Sequence, residues 1–319
     1  MLPTPIGDVA VVRLPLRVRF RGLAAREAVL WRGPAGWAEF APFTEYDDET
    51  AVTWFRAAVD AATYPWPAPH RASVPVNATV PAVPAVEVPE VLALYPGCDT
   101  VKVKVGEPGQ AEADDLARLE AVRAAVGRGG RVRIDVNGAW SLDEAVAALP
   151  RYERAAGGLE YAEQPCSEVD DLAELRRRVD VPLAADESIR LGTDPRRAAE
   201  AVDVVVAKVS PLGGVAAVLR LAEQLDRPVV VSSALDTSVG LAAGVAAAAS
   251  LPELPYACGL GTGALLARDV TEEPLVPRDG QVEVRRVVPA QRLLVELVAP
   301  DDRVAWWQRR LERVAELAA

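Results

Sequence analysis

Six charged residues stand at the ends of short apolar runs. Lys102 and Lys104 lie in residues 100–105, Asp135 closes the run 132–136, and Glu163 follows 159–162. Asp186 follows 183–185, and Lys208 falls at the end of 204–209. Three carboxylates with no histidine beside them are oxygen donors suited to a hard divalent cation such as Mg²⁺ that keeps positions open for substrate oxygens. Lys102 and Lys104 are two residues apart, so on a strand they share a face. If that face is an interior, desolvation and like charge both lower a lysine pKa toward that of a working general base. Lys208 suits a second acid/base or an anion stabiliser. Taken singly, each carboxylate also reads as a helix cap, and the lysine pair as a solvated strand edge.

Composition narrows the chemistry. His70 is the only histidine, which argues against a Ser-His-Asp triad, a His acid/base and a His-ligated metal. Cys98, Cys166 and Cys258 are scattered, without zinc spacing, and read as reduced thiols of a cytoplasmic protein. A net charge of −11 argues against a nucleic-acid or anionic-membrane partner and leaves a small-molecule carboxylate substrate open. Residues 1–20 carry Pro3, Pro5, Asp8 and Arg13 and are no signal peptide. The apolar stretch 241–249 is too short to span a bilayer. Hydrophobic residues make up 50% of the chain and aromatics only 5%, so Val, Leu and Ala are expected to carry the packing.

Something must hold those six residues together. Residues 9–20, 25–32 and 36–40 read as strands and 49–62 as a helix, an α+β unit. The proline-rich stretch from Tyr64 leads to a first barrel strand at 74–80. Strands then alternate with helices: 100–105, 132–136, 159–162, 183–185, 204–209, 228–232 and 256–259. Apolar strands spaced by amphipathic helices imply a parallel sheet buried on both faces, and eight of them imply closure into a barrel whose strand C-termini open onto one face. Helix starts are marked at Ser141, Ser167 and Thr193. The expected fold is α/β, a modified (β/α)7β-like TIM barrel over residues 71–270. Residues 1–70 form an α+β capping domain, and 271–319, with a helix at 302–317, pack back on the cap or the barrel. Residues 16–23 and 39–44 are candidate lid loops. Ser232, Ser233, Gly259, Gly261 and Thr262 end the last two strands. Their small side chains and free N–H groups suit a cradle for a substrate carboxylate, or else form an ordinary glycine-rich turn.

The set Lys102-x-Lys104, Asp135, Glu163-Gln164-Pro165, Asp186-Glu187-Ser188 and Lys208 with Gly213-Gly214 resembles the enolase superfamily, in its muconate-lactonizing-enzyme branch. The stretches from Trp37 to Pro42 and from Val76 to Pro81 resemble most the o-succinylbenzoate synthase family of the actinobacterial type. The resemblance implies one Mg²⁺ on Asp135, Glu163 and Asp186. It makes Lys104 the acid/base, Lys102 its tuner and carboxylate contact, and Lys208 the anion stabiliser or partner acid/base. The implied reaction is a dehydration in menaquinone biosynthesis. An N-acylamino acid racemase would use the same residues. A dipeptide epimerase is disfavoured because residues 258–261 lack an Asp-x-Asp. A muconate cycloisomerase is disfavoured by chain length. A Schiff-base aldolase leaves the carboxylates unexplained. A non-catalytic barrel would tolerate loss of the lysines. Oligomeric state is not legible.

Overall fold

The computed structural model describes residues 9–192 and 194–319. The helix start read at Thr193 and the proline-broken first eight residues lie outside them. The chain opens with an antiparallel meander, β1 (Val9–Phe20), β2 (Leu23–Gly33) and β3 (Gly36–Phe40). Arg21 and Gly22 join β1 to β2 with φ of 51° and 74°. Two successive positive φ angles give a tight two-residue hairpin turn. Most of the first lid stretch, 16–23, is therefore strand and turn rather than loop.

The helix Asp48–Thr63 follows, started by Asp47, whose side chain accepts from Thr50 N at 2.8 Å. Against it packs the C-terminal helix Asp301–Ala318, whose Trp307 is fully buried and donates to Glu27 at 2.8 Å. Few aromatics exist, but they concentrate here: Trp31, Phe40, Phe43, Trp54, Phe55 and Trp307 form one cluster. The barrel is instead packed by Val, Leu and Ala, each buried Val or Leu contributing about 1.5–3 kcal/mol.

The sequence-predicted first barrel strand is two pieces. β4 (Ser73–Pro75) leaves the barrel and pairs antiparallel with a C-terminal strand, while β5 (Ala78–Val80) starts the parallel sheet. The sheet continues through β6 (Thr100–Lys104), β7 (Arg131–Asp135), β8 (Tyr161–Glu163), β9 (Leu183–Ala185), β10 (Val204–Lys208) and β11 (Val229–Ser232) in that spatial order. The expected eighth strand is no regular strand. Gly259 bridges to Ser232 and Cys258 to Val76, so two isolated parallel bridges join the sheet's edges. β12 (Gln281–Glu283) is the partner of β4.

Helices cover the outside. Ser141 caps Leu142–Ala156 with Glu144 completing a reciprocal box. Val169–Arg176 starts at Glu168, one residue past the expected Ser167, and Asp194 itself caps Pro195–Glu200. The apolar run at 241–249 lies in the helix Ser238–Ser250, which is buried almost all round between cap and barrel. Among the described residues no helix is long and apolar enough to cross a membrane.

Candidate active site

Parallel register places the charged residues. Lys104 is aligned with Asp135, and Asp135 with Glu163, so three neighbouring strands deliver their polar ends to one level. Lys102, Lys104, Asp135, Glu163, Asp186 and Lys208 are all buried. Lys102 Nζ donates to both Glu163 oxygens at 2.9 and 3.0 Å and stands 3.0 Å from Asp135 Oδ2. Lys104 Nζ donates to Asp135 Oδ2 at 2.6 Å and to Asn137 Oδ1 at 2.5 Å. Lys208 Nζ donates to Asp186 Oδ2 at 2.5 Å, and Arg190 Nε reaches Asp186 Oδ1 at 3.1 Å.

Two side chains that carried no role in the sequence reading hold this set in place. Gln164, with φ of 41°, turns its amide across to the next strand end. Its Oε1 accepts from Asp186 N at 3.0 Å and Ser188 N at 3.2 Å, and its Nε2 donates to Ser188 Oγ at 2.6 Å. That locks the Glu-Gln-Pro and Asp-Glu-Ser motifs to each other. Asn137, with φ of 53°, links Lys104 to Glu187, to which its Nδ2 donates at 3.1 Å.

The electrostatics are those of crowded carboxylates. Burial and the charge of Asp135 push Glu163 up to about 7, with Asp186 adding to the repulsion. Burial opposes ionisation of Asp135 too, but Lys102 and Lys104 override it and hold that carboxyl far below the usual range. Lys208 and Arg190 do the same for Asp186 against its burial. Lys102 is held as an ammonium by its neighbours. Burial does oppose its charge, but Asp135 and Glu163 outweigh burial and hold the ammonium well above the ordinary lysine value.

Among the described residues no three His, Cys, Asp or Glu side chains are drawn together tightly enough to grip an ion as they stand. Lysine ammonium groups occupy the carboxylate oxygens instead. The donor set still fits a hard divalent cation: three buried carboxylates on adjacent strand ends, one destabilised by the other two.

Lys102, Lys104, Asp135, Lys208, Ser232, Ser233, Gly259 and Thr262 face a single cavity, closed down to about 30 Å³. That is room for about one water. Phe20, Arg21 and Phe43 of the cap cover it. The Phe20 ring centre lies 5.6 Å from Lys104 Nζ, and the Arg21 guanidinium lies 4.4 Å from the Phe43 ring centre. Arg21 is the cavity's one arginine, and the lid reading of its stretch was the only signal for it. Two larger hollows of about 490 Å³ lie elsewhere, lined by none of the sequence-predicted site residues.

Two of the backbone N–H groups expected of a carboxylate cradle are engaged elsewhere. Gly259 N donates to Val231 O at 2.9 Å and Ser233 N to Gly259 O at 3.1 Å, so these N–H groups are spent on closing the barrel. Gly261 is absent from the cavity wall and packs against Asn77 O and Tyr95. What faces the cavity is a hydroxyl set, with Ser233 Oγ and Thr262 Oγ1 2.6 Å apart.

Comparison with known proteins agrees with this geometry. The chain matches the enolase C-terminal domain-like family over residues 87–289 and the enolase N-terminal domain-like family over residues 11–62. It is 59% identical over 301 residues to the o-succinylbenzoate synthase of Thermobifida fusca (strain YX), covering 93% of each chain. The chain belongs to the o-succinylbenzoate synthase family of the enolase superfamily. A second member, from Mycolicibacterium smegmatis, is 56% identical over 303 residues, covering 94% of this chain and 93% of that one. The fold is that of the muconate lactonizing enzyme from Pseudomonas fluorescens, with a TM-score of 0.76 over 92% of this chain and 99% of that one at 20% identity. It is likewise that of the L-Ala-D/L-Glu epimerase from Bacillus subtilis, with a TM-score of 0.71 over 88% and 97% at 22% identity.

Proposed function

We propose that this enzyme is a Mg²⁺-dependent lyase that dehydrates 2-succinyl-6-hydroxy-2,4-cyclohexadiene-1-carboxylate to 2-succinylbenzoate, a step of menaquinone biosynthesis. Family membership supports the reaction. The observation that carries the residue roles is the meeting of Lys102, Lys104 and Lys208 with Asp135 in one closed cavity, beside Glu163 and Asp186.

An α-proton of a carboxylate is very weakly acidic because its removal leaves a dianion. Lys104 takes that proton from the ring carbon bearing the carboxylate. Lys102 beside it and Lys208 on β10 put positive charge where the dianion forms, the type of stabilisation worth about 2.7–4 kcal/mol per donor in other enzymes. The same Lys104 proton then goes to the departing 6-hydroxyl. One C–H and one C–O bond break, water leaves, and the ring becomes aromatic. Asp135, Glu163 and Asp186 would hold the Mg²⁺, which when bound supplies Lewis-acid stabilisation of the substrate carboxylate. Ser233 and Thr262 offer hydroxyls to the remainder of the substrate.

Racemisation of N-acylamino acids is the second reading, because Lys104 and Lys208 come from well-separated strands of the sheet. Metal dependence tests the assignment: dehydration should stop in excess chelator and return with Mg²⁺. Equal rates with and without chelator would remove the metal role from the three carboxylates.

A further inference from the structure

The cavity wall formed by Ser233, Ala234 and Leu235 belongs to the loop between β11 and the helix Ser238–Ser250. Leu235 sits at φ of 61°, an uncommon angle for a residue with a side chain, so something outside the loop must hold it. Two residues of the cap do so. Arg26, buried on β2, donates to Leu235 O at 3.2 Å and also to Ala41 O. Glu39, buried at the end of β3, accepts from Thr237 N at 3.1 Å, from Gly240 N at 3.2 Å and from the Thr237 hydroxyl, all on Oε2. Glu39 thus takes the N–H groups of the helix-cap residue Thr237 and of Gly240, while Ser238 N donates to Asp269 and Val239 N to the Thr237 hydroxyl. Residue 240 is shaped around this contact, since a Cβ there would stand 2.7 Å from Glu39 Cδ.

We propose that Glu39 is a positioning residue, which acts through Thr237 and Gly240 to seat the cap on the barrel and to hold the Ser233–Ala234–Leu235 wall against substrate. Glu39 does not line the cavity, so it touches none of the reacting atoms. The inference rests on the reading of this cavity as the active site. It predicts a loss of substrate binding rather than of chemistry, because Ser233, Ala234 and Leu235 carry none of the proposed proton-transfer or metal-holding groups and contact ground state and transition state alike.

The test is hydrogen exchange and steady-state kinetics on the full chain for Glu39→Ala, Glu39→Gln and Gly240→Ala. In Glu39→Ala the Thr237 and Gly240 amides should exchange at least about tenfold faster, and KM should rise about tenfold with kcat within about threefold. Glu39→Gln keeps an acceptor at the Oε2 position and should restore both. Gly240→Ala, whose methyl displaces the carboxylate, should reproduce Glu39→Ala. Unchanged exchange at those amides, faster exchange with unchanged KM, a kcat loss without a KM change, or a Gln variant no better than Ala would each overturn the proposal. Failure of both alanine variants to fold would also overturn it, by making the contact purely structural. Exchange is read without substrate. Faster exchange in Glu39→Ala, together with a wild-type chain that dehydrates nothing, would leave the seating of the cap by Glu39 intact while the proposed function fell.

Discussion

Lys104 and Asp135 are register partners on neighbouring strands, and the ammonium stands 2.6 Å from the carboxylate. Asp135 is thus shared between the proposed metal site and the proposed base. Lys104→Ala should lower the dehydration rate by at least about 10²–10⁴-fold, the usual worth of a positioned general base, with the fold retained by circular dichroism. A folded variant that turns over at the wild-type rate would remove Lys104 from the chemistry.

Arg21 offers the cavity a guanidinium beside Phe43, on the opposite, cap side of the site. The proposed substrate carries a second carboxylate on its succinyl arm. If Arg21 meets it, Arg21→Ala should cost about 1.5–3 kcal/mol of binding, roughly 10–150-fold in KM, with kcat far less affected. An unchanged KM would assign that carboxylate to another group.

Arg118 is fully buried behind β6 and donates to Lys104 O at 2.9 Å, Val83 O at 2.6 Å and Asp115 Oδ1 at 2.7 Å. Arg118→Met strands the buried Asp115 charge. Urea unfolding should show a loss of about 3–5 kcal/mol. A loss under about 1 kcal/mol would mean that Gly106 N and the Tyr152 hydroxyl, which also donate to Asp115, suffice without the arginine.

Glu39 gives a pH signature. Burial and the Asp236 charge push it from 4.5 up to about 8, with Asp269 adding to the rise and Thr237 and Arg26 opposing it. Between those values the folded chain keeps a proton that the unfolded chain releases. This group's contribution to stability is therefore full below about pH 4.5 and is lost as pH rises through about 8. Measured in chelator by urea unfolding, wild type should lose stability from pH 5 to pH 8 relative to Glu39→Gln. Parallel pH dependences would contradict the raised value.

Much of this was legible because strand ends announce themselves. Asp186 and Lys208 each follow an unbroken apolar run and Asp135 one interrupted by Arg133, so their level in the barrel could be read off. Asn77, fully buried after Pro75, hid the split of the first strand, since the Val-rich run continues through it. The segment before Gly259 looked like a strand but makes only two bridges, because its neighbours offer one residue each. Contacts such as Glu39 with Thr237 join residues 198 apart and leave no local pattern. Gln164 and Asn137 were hidden differently: their work depends on positive φ angles that put an amide across a strand gap.

The most direct test of the central claim follows aromatisation of the cyclohexadiene carboxylate by ultraviolet absorbance, in parallel with α-deuterium exchange on N-succinyl amino acids, both with Mg²⁺. Fast aromatisation and little exchange are expected. Exchange without aromatisation would contradict the proposed function, keeping the lysines and carboxylates but making the enzyme a racemase.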